Sequence, residues 1–372
     1  MAVEAKSGTG LPSPYLPIAE MGVGELEALR LILRGGSVVD WRRLHFRDGA
    51  EVDHFLRLNQ LDLRDPRDEA RLRSILAQGV DYLRSAFGYR VADPVANPAD
   101  VRDLFLLASG IAEPRRYRRI ACVVLKCMQV VHHLEARELL HRIPIREADL
   151  GERVDRRVMA EARRMAELGF PIVEFHGNVK TRSSLVTKLL AKRETVAAQV
   201  FDRVRYRIVT EKRDQIAPVL HHLTQSLFPV NYCVPGQTQN TLITFRRLVG
   251  RHPRAAEVVA ALQAPLDLES SDRRRINEFS GRHYRVLNFV VDLPLRVDDL
   301  LPPGSEALAE ELGRVVFSLV EFQMMDAATA RSNEAGESAH ERYKRRQLKR
   351  VLRRLSRGLV VPKQRGAGKR RP

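Results

Sequence analysis

A change of periodicity near Phe170 constrains this chain more than any other feature. Upstream of it, apolar residues recur at helical spacing. Leu72, Ile75, Leu76, Val80, Leu83 and Phe87 form one stripe that predicts an amphipathic helix over 68–87. Similar patterns cover 25–33, 51–59, 99–109, 117–142 and 154–168, and Gly35-Gly36 supplies a left-handed stop for the first. Residues 38–44 (VVDWRRL) read as a short extended piece. Downstream, β-biased runs occupy 171–175, 204–209, 283–293 and 315–323, with 242–248 a weaker strand candidate. Helical stretches at 183–192 and 216–227 separate them, and the chain turns helical again after the last run. Strands divided by helices and long connections predict an α+β fold, a mixed β-sheet flanked by helices and preceded by an α-helical N-terminal region. The expected division is a disordered terminus over 1–20, a helical region of unassigned role over 21–168, a sheet domain over 169–345 and a basic helix or tail over 346–372.

The charge is as unevenly distributed as the periodicity. The chain is +17, but residues 341–372 hold fourteen Lys/Arg and one acid, a local +13, leaving +4 on the other 340 residues. This pattern describes a nearly balanced globule with a basic C-terminal stretch, which suggests contact with RNA, the ribosome or another polyanion. A solvated tail that aids solubility is the alternative. No apolar run approaches the ~20 residues that a membrane helix needs, and the first residues lack a secretory pattern. Cys122, Cys127 and Cys233 form no C-x-x-C pair, so reduced core thiols in a cytoplasmic protein are expected.

Several motifs lead nowhere. Adjacent histidines on a helix point to different faces, so His132-His133 and His221-His222 are poor chelating pairs, and one packed and one solvated ring is expected of each. There is no His-Asp dipeptide of the kind a metal phosphohydrolase needs, no G-x-x-x-x-G-K-[ST] loop and no nucleophile elbow.

Phosphoryl chemistry requires carboxylates for a metal ion, cations for phosphates and a base for the attacking hydroxyl. The second half supplies each. Lys180, Arg182 and Lys188 flank a helix start, which itself favours phosphate. Asp202 precedes a strand along which Arg203, Arg205 and Arg207 alternate on one face. Three arginines are costly to bury, so that face is wet or binds anions. Glu321 lies inside an apolar β run, two residues before Gln323 on the same face. It can hold a metal ion or pair with one of the arginines, and spacing does not choose between them.

These segments resemble a known family. VFDRVRYRIV (200–209) is similar to the Asp-bearing strand of RelA/SpoT-type (p)ppGpp synthetases, and GNVKTRSSLVTKL (177–189) to their phosphate-binding stretch. GRHYRVLNFVV (281–291) resembles the strand whose Tyr stacks on the acceptor guanine, VEFQ (320–323) the Glu-x-Gln strand, and EAGESAHERYK (334–344) the helix that follows it. Glu321 and His340 are nineteen residues apart, as in the family. The resemblance covers 169–345 and implies a nucleotidyltransferase-type sheet that moves the β,γ-pyrophosphate of ATP to a 3′-hydroxyl of GTP or GDP. It implies Mg²⁺ on Asp202 and Glu321, ATP phosphates on Lys180, Lys188 and Arg207, a further nucleotide contact from Arg205, the acceptor base on Tyr284, and Gln323 and His340 in support.

This chain departs from the family pattern at Asn178, Asn288 and Met325, where the family carries Arg, His and Arg. The first two replace cationic or ring donors with amides, and the third removes a cation. Three readings follow from the resemblance: a (p)ppGpp-type synthetase, a pyrophosphotransferase acting on the 3′ end of tRNA, and an inactive relative that binds nucleotide or RNA as a regulator. Oligomeric state and the role of 1–168 have no sequence signal.

Overall fold

A computed structural model describes residues 14–36, 45–179, 182–191, 204–262, 284–334 and 340–356. The extended piece expected at 38–44 lies outside them.

The N-terminal half is helical: α1 (Val23–Arg34), α2 (Gly49–Leu58), α3 (Pro66–Phe87), α4 (Asp93–Ala96), α5 (Val101–Ser109), α6 (Arg118–Arg142) and α7 (Glu147–Glu167). The local signals account for the ends. α1 stops on Gly35 at φ +63°, a conformation that glycine adopts without penalty. Asp65 caps α3 through the Arg67 amide, with Pro66 in the first turn, where no amide is needed. Residues 14–20, expected as part of a disordered terminus, contact the core. The Tyr15 ring meets Phe170 at 5.4 Å, and the Pro14 carbonyl bonds His222 Nδ1 at 2.8 Å.

Five strands follow, interleaved with helices: β1 (Ile172–Val179), α8 (Arg182–Ala191), β2 (Val204–Thr210), α9 (Ile216–Ser226), β3 (Gln239–Asn240), α10 (Phe245–Val249), α11 (Ala255–Leu262), β4 (Leu287–Arg296), α12 (Glu306–Leu312), β5 (Val315–Asp326), α13 (Ala327–Glu334) and α14 (His340–Leu355). They make one sheet in the order β1-β2-β5-β4-β3, in which only the β2–β5 pair is parallel. The expected mixed sheet is therefore present. The candidate strand at 242–248 is instead helical from Phe245, and the strand of that region is the short β3. Phe245, Leu248 and Val249 sit at helical spacing and are all buried, so core packing outweighed the β-branched residues just before them. β1 extends past its expected end at 175 because the β2 ladder holds Gly177 and Asn178, two poor strand formers.

Alternation along β2, β4 and β5 sends Tyr206, Ile208, Phe289, Val291, Val320, Phe322 and Met324 to one face, all buried. α7 and α9 pack there, and α1 joins the same core. Phe322 is at its centre, with ring centroids of Phe228, Phe289 and Tyr206 at 5.4, 5.6 and 5.8 Å. The Tyr206 hydroxyl donates to Asp155 of α7 at 2.9 Å. Opposite Tyr206 on β1 is Gly177, where an added Cβ would lie 2.6 Å from the tyrosine ring, so only glycine lets the ring cross that strand. Arg157 of α7 is buried and donates to the carbonyls of Leu58 at 3.2 Å, Leu227 at 2.7 Å and Pro294, tying α2, α9 and β4 together. Burial pulls its guanidinium down to about 10.

A second core joins α2, α3, α5 and the first half of α6. α14 packs against α8, where Arg354 donates to the Leu190 carbonyl at 2.8 Å. Val351 is buried along α14, whereas Leu348, Leu352 and Leu355 are exposed, so most of the apolar residues of this helix face outward. No helix among the described residues is long and apolar enough to cross a membrane.

Candidate functional site

The other sheet face carries the chemistry. Period-two alternation places Arg205 and Arg207 of β2 and Glu321, Gln323 and Met325 of β5 on it. The parallel register sets Arg205 beside Glu321 and Arg207 beside Gln323. β4 adds Val290 opposite Glu321 and Asn288 opposite Gln323, and β1 adds Asn178 opposite Arg205 and His176 opposite Arg207. Polar groups thus cross three strands in one row and four in the next.

Glu321 is the centre of this surface and only 6% exposed. Its Oε1 accepts from Asn288 Nδ2 at 2.6 Å and Gln323 Nε2 at 3.4 Å. Its Oε2 is buried without a hydrogen-bond donor, and Arg205 Nε lies 3.6 Å from this oxygen. Arg205 also donates through Nη1 to Gln323 Oε1 at 3.3 Å. The ion pair anticipated as one role for Glu321 therefore exists, but it is longer than a hydrogen bond and leaves Oε2 open to a hard cation.

Arg207 pairs with two carboxylates to which no role was assigned from the sequence. Its Nη2 donates to Glu334 at 2.7 Å, and its Nε lies 3.2 Å from Glu174 Oε1, which also contacts His176 Nδ1 at 2.8 Å. Cross-strand register and the return of α13 bring these groups together, so no linear spacing could have marked them. Tyr284 precedes β4 and packs on Val209, Val286, Met325 and Ala330. Burial pushes its phenol up, against the pull of Arg205 and Arg207, while Glu321 adds to the rise. Asn333 of α13 brackets the next residue, accepting from the Arg285 amide at 3.0 Å and donating to its carbonyl at 2.7 Å.

The structure thus brings Glu321, Gln323, Arg205, Arg207 and Tyr284 together. Asp202 and Lys180 lie outside the described residues. Lys188 and His340 fall on α8 and α14, with side chains outside the description. Two of the positions at which the sequence departs from the resembled pattern make contacts of their own. Asn288 donates to Glu321 at 2.6 Å, and Met325 is buried in the small cluster against which Tyr284 packs. Among the described residues no group of three or more His, Cys, Asp and Glu could hold a metal ion. Glu321 Oε2 fits one ligand of such an ion.

The histidine pairs are more buried than the expected one-in, one-out arrangement. His221 and His222 are both buried, because nearly every residue of α9 is. His132 is buried with neither ring nitrogen hydrogen-bonded, and His133 stacks on Phe317 at 4.1 Å. Burial, with help from His133 and Arg71, pulls His132 down to about 3. From about pH 6.5 downward the unfolded chain binds a proton there that the folded chain refuses, so acid should cost up to about 1.4 kcal/mol per pH unit from this group. Unfolding by urea at pH 7 and pH 5 should therefore show a smaller loss in His132→Phe than in the parent, and equal losses would contradict the assignment.

No protein-family model matches this chain, and neither does any curated protein. Among solved structures it is similar to alarmone synthetases at low identity. Small alarmone synthetase 1 from Bacillus subtilis is 16% identical, with 62% of this chain covering 90% of that one at a TM-score of 0.28. The same enzyme bound to its product pppGpp is 17% identical, with 59% covering 89% at 0.29. A GTP pyrophosphokinase family protein from Streptococcus pneumoniae is 15% identical, with 60% covering 89% at 0.27.

Proposed function

We propose that the polar sheet face is a nucleotide pyrophosphotransferase site, moving the β,γ-pyrophosphate of ATP to the 3′-hydroxyl of GTP or GDP. The observation that carries the reading is Glu321, a buried carboxylate with one oxygen held by Asn288 and Gln323 and the other without a hydrogen bond, flanked by Arg205. A carboxylate so oriented can take the proton from an attacking hydroxyl or hold a metal ion without reorganising. The 3′-oxygen would bond to the β-phosphorus, the bridge to the α-phosphate would break, and AMP would leave. Mg²⁺ on Glu321 and Asp202 would neutralise the phosphates. Arg205, Arg207, Lys180 and Lys188 would hold the donor. Tyr284 would stack on the acceptor base, while Gln323 orients Glu321 and His340 supports the site.

A second reading is a regulator that binds nucleotide without turnover. The approach of Arg205 to the open oxygen of Glu321 favours it, since a retained ion pair would compete with the metal. Purified protein incubated with γ-labelled ATP, Mg²⁺ and GTP, GDP or deacylated tRNA decides the matter. Label on a guanine nucleotide supports the first reading, and label on tRNA makes RNA the acceptor. Nucleotide binding without transfer supports the regulator.

RNA contact is proposed for the basic C-terminal stretch, on which Lys344, Arg345, Lys349, Arg353 and Arg354 are exposed along α14. Ending the chain after Gly358 removes five of the fourteen basic residues of 341–372. Because phosphate contacts release counterions, retention of RNA in a filter assay should weaken and lose part of its salt dependence. An unchanged salt slope would make the tail a solubility device.

A further inference from the structure

We propose that the end of the N-terminal helical layer where α3 stops and α6 starts binds single-stranded RNA. The two helices run antiparallel. Arg71 pairs with Glu135, Gln78 donates to Glu135 at 2.8 Å, and the backbone of Gly79 faces Cys127 and Met128. At about 1.5 Å per residue, the last turn of α3 therefore lies beside the first turn of α6. Here Tyr82, Phe87 and Tyr89 are 51%, 63% and 47% exposed. No other Phe, Tyr or Trp among the described residues is exposed. The three rings touch in series, with centroids 5.6 Å apart for Tyr82 and Phe87 and 6.2 Å for Phe87 and Tyr89, both edge to face.

Charge identifies the partner. Residues 81–93 and 113–119 hold six arginines, Arg84, Arg90, Arg115, Arg116, Arg118 and Arg119, against Asp81, Asp93 and Glu113, a net +3. All six arginines are exposed. Neither Arg90 nor Arg119 makes a hydrogen bond or ion pair among the described residues. Cations track a phosphate backbone, and aromatic rings take the bases, whose π-faces stack whatever the sequence. Two edge-to-face contacts cover at most two of the ring faces and leave the others to water. A duplex hides its bases from such rings, whereas the unpaired loops and ends of RNA present them. A second copy of the chain fits less well, because a symmetric contact would set the +3 surface against itself. This surface shares no residue with the face around Glu321 or with α14.

The full chain would be cross-linked by ultraviolet light to an oligouridylate of about twelve nucleotides carrying 5-iodouridine, and the adducts mapped by mass spectrometry. Adducts on Tyr82, Phe87 or Tyr89 are expected. In fluorescence anisotropy, the triple variant Tyr82→Ala, Phe87→Ala and Tyr89→Ala should bind the same strand about tenfold or more weakly, the value of one or two stacked bases, with its salt dependence unchanged. The double variant Arg90→Gln and Arg119→Gln should instead lower the slope of log affinity against log salt by about 1.4, two phosphate contacts at about 0.7 each. Adducts confined to 341–372 overturn the proposal and leave the C-terminal stretch as the RNA contact. A loss under twofold in the ring variant also overturns it, as does tighter binding of oligothymidylate, which would make the partner DNA. A dimer in sedimentation that the ring variant dissociates would make this surface an interface between copies. If the ring variant fails to fold, the adduct map of the parent chain and the salt slope of the arginine variant still decide. Binding is read without turnover, so failure of the pyrophosphotransferase reading would leave this result intact.

Discussion

Glu321→Gln is expected to leave the fold in place and lower pyrophosphate transfer by roughly a thousandfold or more. The substitution keeps the volume of the side chain and the acceptor that Asn288 reaches at 2.6 Å. It changes the other end, where an amide nitrogen would face Arg205 Nε in place of Oε2. That group can neither take a proton from a hydroxyl nor bind a cation. The stability loss should be small, within about 1 kcal/mol, because the Arg205 partner is partly solvated and the pair is long. Transfer of label and thermal melting on the same preparation measure both effects. Turnover within tenfold of the parent would remove Glu321 from the chemistry. A variant that loses several kcal/mol would show that the carboxylate serves the fold instead.

The residue next to it should behave in the opposite way. Phe322→Ala is expected to cost about 3–5 kcal/mol, the range for deleting a large aromatic side chain from a packed core. Phe322 is fully buried and contacts three rings, Phe228, Tyr206 and Phe289, drawn from the loop after α9, β2 and β4. Losing it opens a cavity where the parallel and antiparallel halves of the sheet meet. Urea unfolding should show a lowered midpoint with little change in slope. A loss under about 1 kcal/mol would mean that the surrounding rings collapse into the space, or that this is not the centre of the core. Together the two substitutions test one geometrical statement: residues 321 and 322 leave opposite faces of the same strand, one toward chemistry and one toward packing.

The positions of Arg205, Arg207, Glu321 and Gln323 were legible because a strand has a side-chain period of two, so spacing alone assigns them to a common side. Helical stripes such as that of α3 were legible for the same kind of reason, with a period of 3.6. Segments where local preference and packing disagree were not. Phe245 to Val249 is helical although β-branched residues lead into it, and β1 runs through Gly177 and Asn178 because its partner strand holds them. The partners of the site residues were beyond reach as well. Glu174 and Glu334 flank Arg207 from β1 and α13, and 160 residues of chain separate them. Asn288, read from the motif as a lost contact, is the donor that orients Glu321.

The change of texture at Phe170 determined the class of this chain, and the order of its motifs determined where to look for a site. Both are local properties, written in side-chain periodicity and in the types of residue a given chemistry requires. Only the tertiary structure decided that Arg205 approaches Glu321, that Arg207 is held between two carboxylates, and that both histidines of α9 are buried. Contacts of that kind depend on strand register and on which helix covers which face. Those are set by the packing of the whole core, and no short stretch of sequence encodes them.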